Sequence, residues 1–374
     1  METHETDILI IGAGIVGIAT AYYLKKLSPT QKVMLVDQGH PMAFTSAQSG
    51  ENYRNWWPHP TMKAFTNHSI DLMEQIAVES DDLINMTRRG YLLATRETDI
   101  TALINELNIG YGSEATDNIR FHNNDKHYQT PEQESWRRNP DGVDVLQNSA
   151  LIHHLFPSLA SDINNIIHIR RAGTISSQQM GQFMLEKFRA AGGKRVTGEV
   201  TSIKKDGNFK VTFKGADMSV SAAQIINAAG PFLNNICEML GTSLPISNIL
   251  HQKIAFPDKR GVVPRKLPFT IDLDPQHSDW SDEDRALLEE DPVHAWVTEK
   301  MPGAIHCRPE GGDNGNWVKL GWAFNETPSS TTLEPTFNEN FPEIVLRGAA
   351  RIQPSLKAYY DHLPREMVLY GGYY

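Results

Sequence analysis

Residues 7–37, DILIIGAGIVGIATAYYLKKLSPTQKVMLVD, leave few folds open to this chain. An apolar run from Asp7 to Ile11 enters Gly12-x-Gly14-x-x-Gly17. A helical pattern rich in Ala and Leu continues to about Leu27, and a second apolar run, Val33 to Val36, ends in Asp37. Each part has a mechanical reason. Gly12 permits a tight turn, Gly14 lets backbone approach a pyrophosphate, and Gly17 lets helix and strand pack closely. The N–H groups of a helix start spanning Gly12, Ala13, Gly14, Ile15, Val16 and Gly17, with the positive end of the helix dipole, suit a diphosphate. Asp37, 20 residues after Gly17, is placed with Gln38 to meet a ribose diol. The segment reads as a βαβ dinucleotide-binding unit, and the chain as an α/β protein.

The length of 374 residues favours two domains over one simple core. A net charge of −10 argues against a nucleic-acid or anionic-membrane surface, where a basic face would be needed. Two cysteines, Cys237 and Cys307, support neither a disulfide framework nor a cysteine-based zinc site, and no His/Cys/Asp grouping has metal-ligand spacing. A first strand starting at Asp7 leaves no room for a leader peptide, and no apolar run reaches the ~18 residues of a membrane span. The default expectation is a cytoplasmic protein.

Further along, periodicity predicts a helix from near Pro60, a strand over 90–95, a helix over 100–107 and an irregular polar stretch over 112–142. A helix starting near Ser176 ends at Gly192-Gly193, and strands follow over 195–203, 209–213 and 224–227. Strand-like runs over 249–256, 305–308 and 317–322 come next. The acidic stretch 280–291 reads as a solvated helix capped by Ser281. A last helix over about 339–350 precedes a strand over 367–370.

The βαβ unit alone does not choose between NAD and FAD. Two later segments point to FAD: the loop Thr45-Ser46-Ala47-Gln48-Ser49-Gly50 directly after the second strand, and a strand ending in Asn227-Ala228-Ala229-Gly230. With the first unit these resemble the D-amino-acid oxidase and sarcosine oxidase (glycine oxidase-like) superfamily of FAD-dependent oxidoreductases. The resemblance covers essentially the whole chain. It implies that Ser46, Ser49 and Gly50 pass over the pyrophosphate and flavin, that the strand at Val200 lays backbone against the adenine, and that Ala228, Ala229 and Gly230 close around the cofactor. Trp317-Val318-Lys319-Leu320-Gly321-Trp322 is similar to the strand of monomeric sarcosine oxidases that ends in Lys-x-Gly, whose lysine sits over the flavin and assists oxygen. The family's C-terminal motif, Thr-Pro-Asp/Glu…Pro-x-x-Gly, lies beyond Tyr374, so the chain is expected to be truncated by some tens of residues. The place of the family's flavin-tethering cysteine falls near Gly371-Gly372, so FAD is expected to bind without a covalent link.

The same resemblance implies a discontinuous fold. A Rossmann-like FAD domain is expected from residues 1–88, 149–238 and 345–374, and a mainly antiparallel α+β substrate domain from 89–148 and 239–344. Arg54, in the loop after Gly50, is a candidate for the flavin's electron-rich edge, for a substrate carboxylate, or for an ordinary loop role. Arg308 is a second candidate carboxylate clamp. His251-Gln252-Lys253 offers polar groups to a pocket, or a satisfied structural histidine. The expected activity is oxidation of an amine or amino acid, by hydride transfer from the amine-bearing carbon to flavin N5. The electron acceptor is left open among oxygen, a quinone and a carrier protein. A catalytically silent flavin-binding scaffold and an NAD(P)H-using flavoprotein are the alternatives.

Overall fold

The computed structural model describes residues 2–131, 135–214 and 218–374. Two sheets organise them. The first has the strand order Glu199–Asp206, Asn208–Lys214, Met218–Asn227, Glu2–Ile11, Val33–Asp37, Lys194–Thr197. The last four of these strands run parallel, and the first three form an antiparallel meander. Glu2–Ile11 is central, and its second half, Ile8 to Ile11, is apolar on both faces, as a parallel strand covered on two sides must be. Ile8 and Ile10 pack with Ile18, Ala21, Met180 and Phe183 of the helices Ile15–Leu27 and Ser177–Ala190. Leu9 and Ile11 pack on the other side with Val200, Val211 and Val220 of the meander.

The second sheet has nine strands, in the order Val368–Tyr373, Leu250–Pro257, Trp317–Gly321, Ile305–Glu310, Phe269–Asp272, Tyr91–Thr95, Asn165–Ile169, Val143–Leu146, Ile119–His122. Neighbours are antiparallel except for two pairs: Phe269–Asp272 with Tyr91–Thr95, and Ile119–His122 with Val143–Leu146. Alternation gives its central strands two characters. Ile254, Phe256, Ile305, Cys307, Val318 and Leu320 join Ile344 and Val345 of the helix Phe341–Ala349 in one core. The alternate residues, Lys253, His306, Arg308, Glu310 and Lys319, therefore stand on the opposite face. A short ribbon, Asn52–Arg54 with Ala172–Thr174, lies between the two bodies.

The mixed α/β architecture agrees with the sequence reading, but the expected boundaries need correction. Segments 345–374 and 149–238 do not belong wholly to the first body. Val368–Tyr373 pairs with Leu250–Pro257, and the apolar side of Phe341–Ala349 covers the back of the nine-stranded sheet. Asn165–Ile169 inserts between Tyr91–Thr95 and Val143–Leu146. The single strand expected over 195–203 is two, broken at Gly198, where a Cβ would lie 3.2 Å from Phe213 Cβ. The stretch 112–142 is not irregular throughout, since it holds the turn of helix Ala115–Asn118 and the strand Ile119–His122.

Candidate active site

Gly12 and Gly17 of the first turn are each fixed by a close approach. Gly12 has φ +108°, and a Cβ there would lie 2.2 Å from the Ala228 carbonyl oxygen; at Gly17 it would lie 1.8 Å from Gly12 O. Strand, turn and helix thus touch backbone to backbone. Ala228 N donates to Ile11 O at 2.8 Å, so the Ala228-Ala229-Gly230 turn closes on the same point. Asp37 is bound into this turn: Oδ2 accepts from Ala13 N at 2.6 Å and Oδ1 from Gly39 N at 2.8 Å. Its backbone carbonyl accepts from Gly198 N at 2.9 Å, which brings the strand of buried Val200 alongside. Gln38 is exposed beside it.

Helix Ile15–Leu27 starts at Gly14 with no acidic residue in its first turn. Ser46 Oγ accepts from Ile15 N at 3.0 Å, whereas the N–H groups of Val16 and Gly17 have no acceptor among the described residues. Val16 is 66% exposed, so this positive end opens to solvent. Unneutralised, partly unsatisfied helix-start donors beside a residue without a Cβ are what an anionic diphosphate fits.

From this end the chain runs through Thr45–Gln48, Ser49 and Gly50 to the polar face of the nine-stranded sheet. Ser49 Oγ accepts from Glu51 N at 2.9 Å, and Gly50 O accepts from Arg308 Nη2 at 2.9 Å. Lys253 Nζ donates to Tyr374 Oη at 3.0 Å and to Gln48 O at 3.4 Å. Arg308 and Lys319 stand opposite each other in register on adjacent strands. Glu310 Oε2 lies 2.6 Å from Arg308 Nη2 and 3.0 Å from Lys319 Nζ. Burial, then the neighbouring Arg308, pushes the Lys319 pKa down, with Glu310 opposing both. Burial would raise the Glu310 carboxyl, but Arg308 and then Lys319 outweigh it and hold it below the ordinary range.

Arg54 ends the ribbon strand with its guanidinium 4.4 Å from the Trp57 ring centroid. Burial lowers its pKa, and the phenol of buried Tyr91 feels both Arg54 and Arg308. A cavity of about 680 Å³ opens beside Arg308, bordered also by Glu51, Arg89, Thr174 and Glu310, and neither Arg54 nor Lys319 lines it. Buried polar atoms without a partner among the described residues include Thr45 Oγ1 on the loop, Asn52 Oδ1 on the ribbon strand, and Arg308 Nε and Tyr370 Oη on the sheet. The structure thus brings Arg308 and Lys319 into one charged group, with Arg54 at its margin. His251 stands apart, its ring 4.7 Å from that of Tyr374.

The sequence reading missed Glu310, Glu51 and Tyr370. The signal for Glu310 was present: His306-x-Arg308-x-Glu310 alternates with period two along Ile305–Glu310. Lys319 does not sit on an edge strand, because Trp317–Gly321 has neighbours on both sides.

Residues 7–362 match the DAO family, FAD dependent oxidoreductase. The chain belongs to this family. Dimethylglycine dehydrogenase, mitochondrial, of Mus musculus is 24% identical over 285 residues, covering 72% of this chain and 28% of that protein's length. Among solved structures, glycine oxidase from Geobacillus kaustophilus aligns over 99% of this chain and 82% of its own (TM-score 0.68, 14% identity). L-proline dehydrogenase from P. horikoshii aligns over 100% and 82% (TM-score 0.70, 16% identity). At these identities the two structures show a shared fold. The cofactor of this FAD dependent oxidoreductase family is FAD, and the helix start at Gly14–Gly17 fits its diphosphate. No helix among the described residues is long and apolar enough to cross a membrane.

Proposed function

We propose that this FAD dependent oxidoreductase oxidises a small amine or amino acid in the crevice between its two bodies, in a cytoplasmic setting. The observation that carries this reading is the Arg308–Glu310–Lys319 group, its two cations buried, held against Gly50 at the end of the loop that leaves the diphosphate site. When bound, FAD supplies the acceptor for a hydride from the amine-bearing carbon, and the imine left behind hydrolyses in water. The first body holds the ADP half through Gly12–Gly17, Asp37, Val200 and Ala228–Gly230, while the nine-stranded sheet carries the substrate. Arg54 and Arg308 supply forked donors for a carboxylate, and orient the amine-bearing carbon by that hold. Lys319 places a fixed cation where a reduced oxygen species would gain negative charge. A quinone or a carrier protein is the other acceptor class.

The test is anaerobic titration of the FAD-loaded protein with sarcosine, dimethylglycine, proline, glycine and D-amino acids. Bleaching of the visible flavin band by at least one of them is expected. A band that none of them bleaches, but that NADPH bleaches alone, would overturn the reading.

A further inference from the structure

The three members of the charged group are unequal. Arg308 and Lys319 keep 6% and 10% of their side-chain surface exposed, whereas Glu310 keeps 28% and borders the cavity. Glu310 is also the last residue of its strand, followed by Gly311 and Gly312 with φ +86° and +67°. Arg308 does not depend on Glu310 for its place. Its Nη2 also donates to Gly50 O at 2.9 Å, and its buried Nε has no acceptor among the described residues. A guanidinium tethered from behind, with a spare donor and a carboxylate on its cavity side, is an anion site already filled by the chain's own carboxylate. Arg54 is different: its guanidinium rests on Trp57 and has no carboxylate within ion-pair distance among the described residues.

We propose that Glu310 is a specificity-determining residue, an internal stand-in for a substrate carboxylate at Arg308 and Lys319. The inference rests on reading the crevice as an amine or amino-acid site. A ligand carboxylate reaches Arg308 only by displacing Glu310, so part of its binding is used in that exchange. With Glu310 in place, the group carries one net positive charge from two cations and one anion. Without the anion, two buried cations face each other and an external carboxylate replaces the missing partner. Wild type therefore discriminates against substrates whose main handle is a carboxylate, and favours those held chiefly through their amine and apolar parts.

The experiment is calorimetric titration of propionate, which has no amine to oxidise, into the FAD-loaded protein. In Glu310→Gln, affinity for propionate should rise on the order of tenfold, and the gain should vanish in Glu310→Gln combined with Arg308→Met. Glu310→Asp keeps the charge but is one methylene shorter, and should show an intermediate gain. It carries the decision if the Gln variant does not fold. Folded variants whose propionate affinity equals that of wild type would overturn the proposal. If amines still reduce that wild type, the oxidation reading stands while the stand-in role falls. A tenfold gain in a protein that no amine reduces would uphold Glu310 at Arg308 and sink the oxidation reading instead.

Discussion

Lys319 is a lysine that folding makes expensive. It is buried on an interior strand beside Arg308, and Glu310 is its one direct ion-pair partner among the described residues. Exchanging it for methionine removes a charge that the protein has already desolvated, at little cost in volume. Lys319→Met should therefore leave the fold intact and, at saturating substrate, the limiting rate of flavin reduction close to wild type, with any loss falling on the affinity for a substrate carboxylate. Reoxidation by oxygen should slow by ~10²–10³, the usual loss when a preorganised charge is removed from a dry site. Stopped-flow measurement of the two half-reactions separates these effects. Unchanged reoxidation would deny Lys319 an oxygen-assisting role and point to a quinone or carrier protein as acceptor. The residue was legible because Lys-x-Gly on a strand is a local pattern. Its partner Glu310 was harder to see, because pairing depends on the register of the hairpin Ile305–Glu310 with Trp317–Gly321, and that register is set by the conformation of the turn over 311–316, which periodicity does not report.

In the first βαβ unit, two glycines three residues apart, Gly14 and Gly17, do different work. A Cβ at Gly17 would fall 1.8 Å from Gly12 O, inside the backbone contact that docks helix Ile15–Leu27 on its strand. A Cβ at Gly14 would meet only the Ser46 hydroxyl, at 3.1 Å. Gly17→Ala should thus lower the melting temperature of the cofactor-free protein markedly or prevent folding, since backbone cannot move aside as a side chain can. Gly14→Ala should fold nearly as wild type but lose most FAD affinity, because its methyl occupies the approach of the diphosphate. Thermal unfolding of the cofactor-free variants, followed by FAD titration, reads both effects; a Gly14→Ala that binds FAD normally would move the diphosphate elsewhere. The βαβ fold of this unit was readable because its strands, helix and glycines lie within 31 residues of chain, whereas the Ala228 carbonyl that crowds Gly12 comes from far along the sequence. The placement of Asn165–Ile169 and Val368–Tyr373 was not. Each is a short run with a strand partner, Tyr91–Thr95 or Leu250–Pro257, that lies far away in sequence, and periodicity says nothing about partners.

Across the whole molecule, acid stability and cofactor binding test the packing of the two bodies separately. His168, fully buried on Asn165–Ile169, receives hydrogen bonds at Nδ1 from Tyr128 Oη and Arg170 Nη1, both at 2.8 Å, and donates from Nε2 to Arg89 O at 2.8 Å. Burial, then Arg170, holds its pKa well below the usual value, and burial holds His306 at about 4. Below pH ~6.5 the unfolded chain takes up these protons and the folded chain does not. Stability should accordingly be flat above that pH and fall as pH drops toward 4, by up to about 1.4 kcal/mol per pH unit for each such histidine. Melting temperatures at pH 8, 6 and 5 measure this, and His168→Gln should flatten the fall; an unchanged slope would free His168 from the account. FAD, by contrast, is proposed to engage the first body at Gly12–Gly17, from which the loop runs on to the Gly50–Arg308 contact with the second. At 100 times its dissociation constant it should stabilise the fold by about 2.7 kcal/mol. Neither cysteine is available to tether it covalently in this crevice: Cys307 is buried on the apolar face with its thiol pushed up to about 12, and Cys237 lies on helix Leu233–Glu238 beside Asn227. Acid precipitation of the yellow protein should consequently release all of the colour, and adding FAD back to the refolded chain should restore both the absorbance and the melting temperature. A precipitate that stays yellow would show that a side chain other than these cysteines has bonded to the flavin.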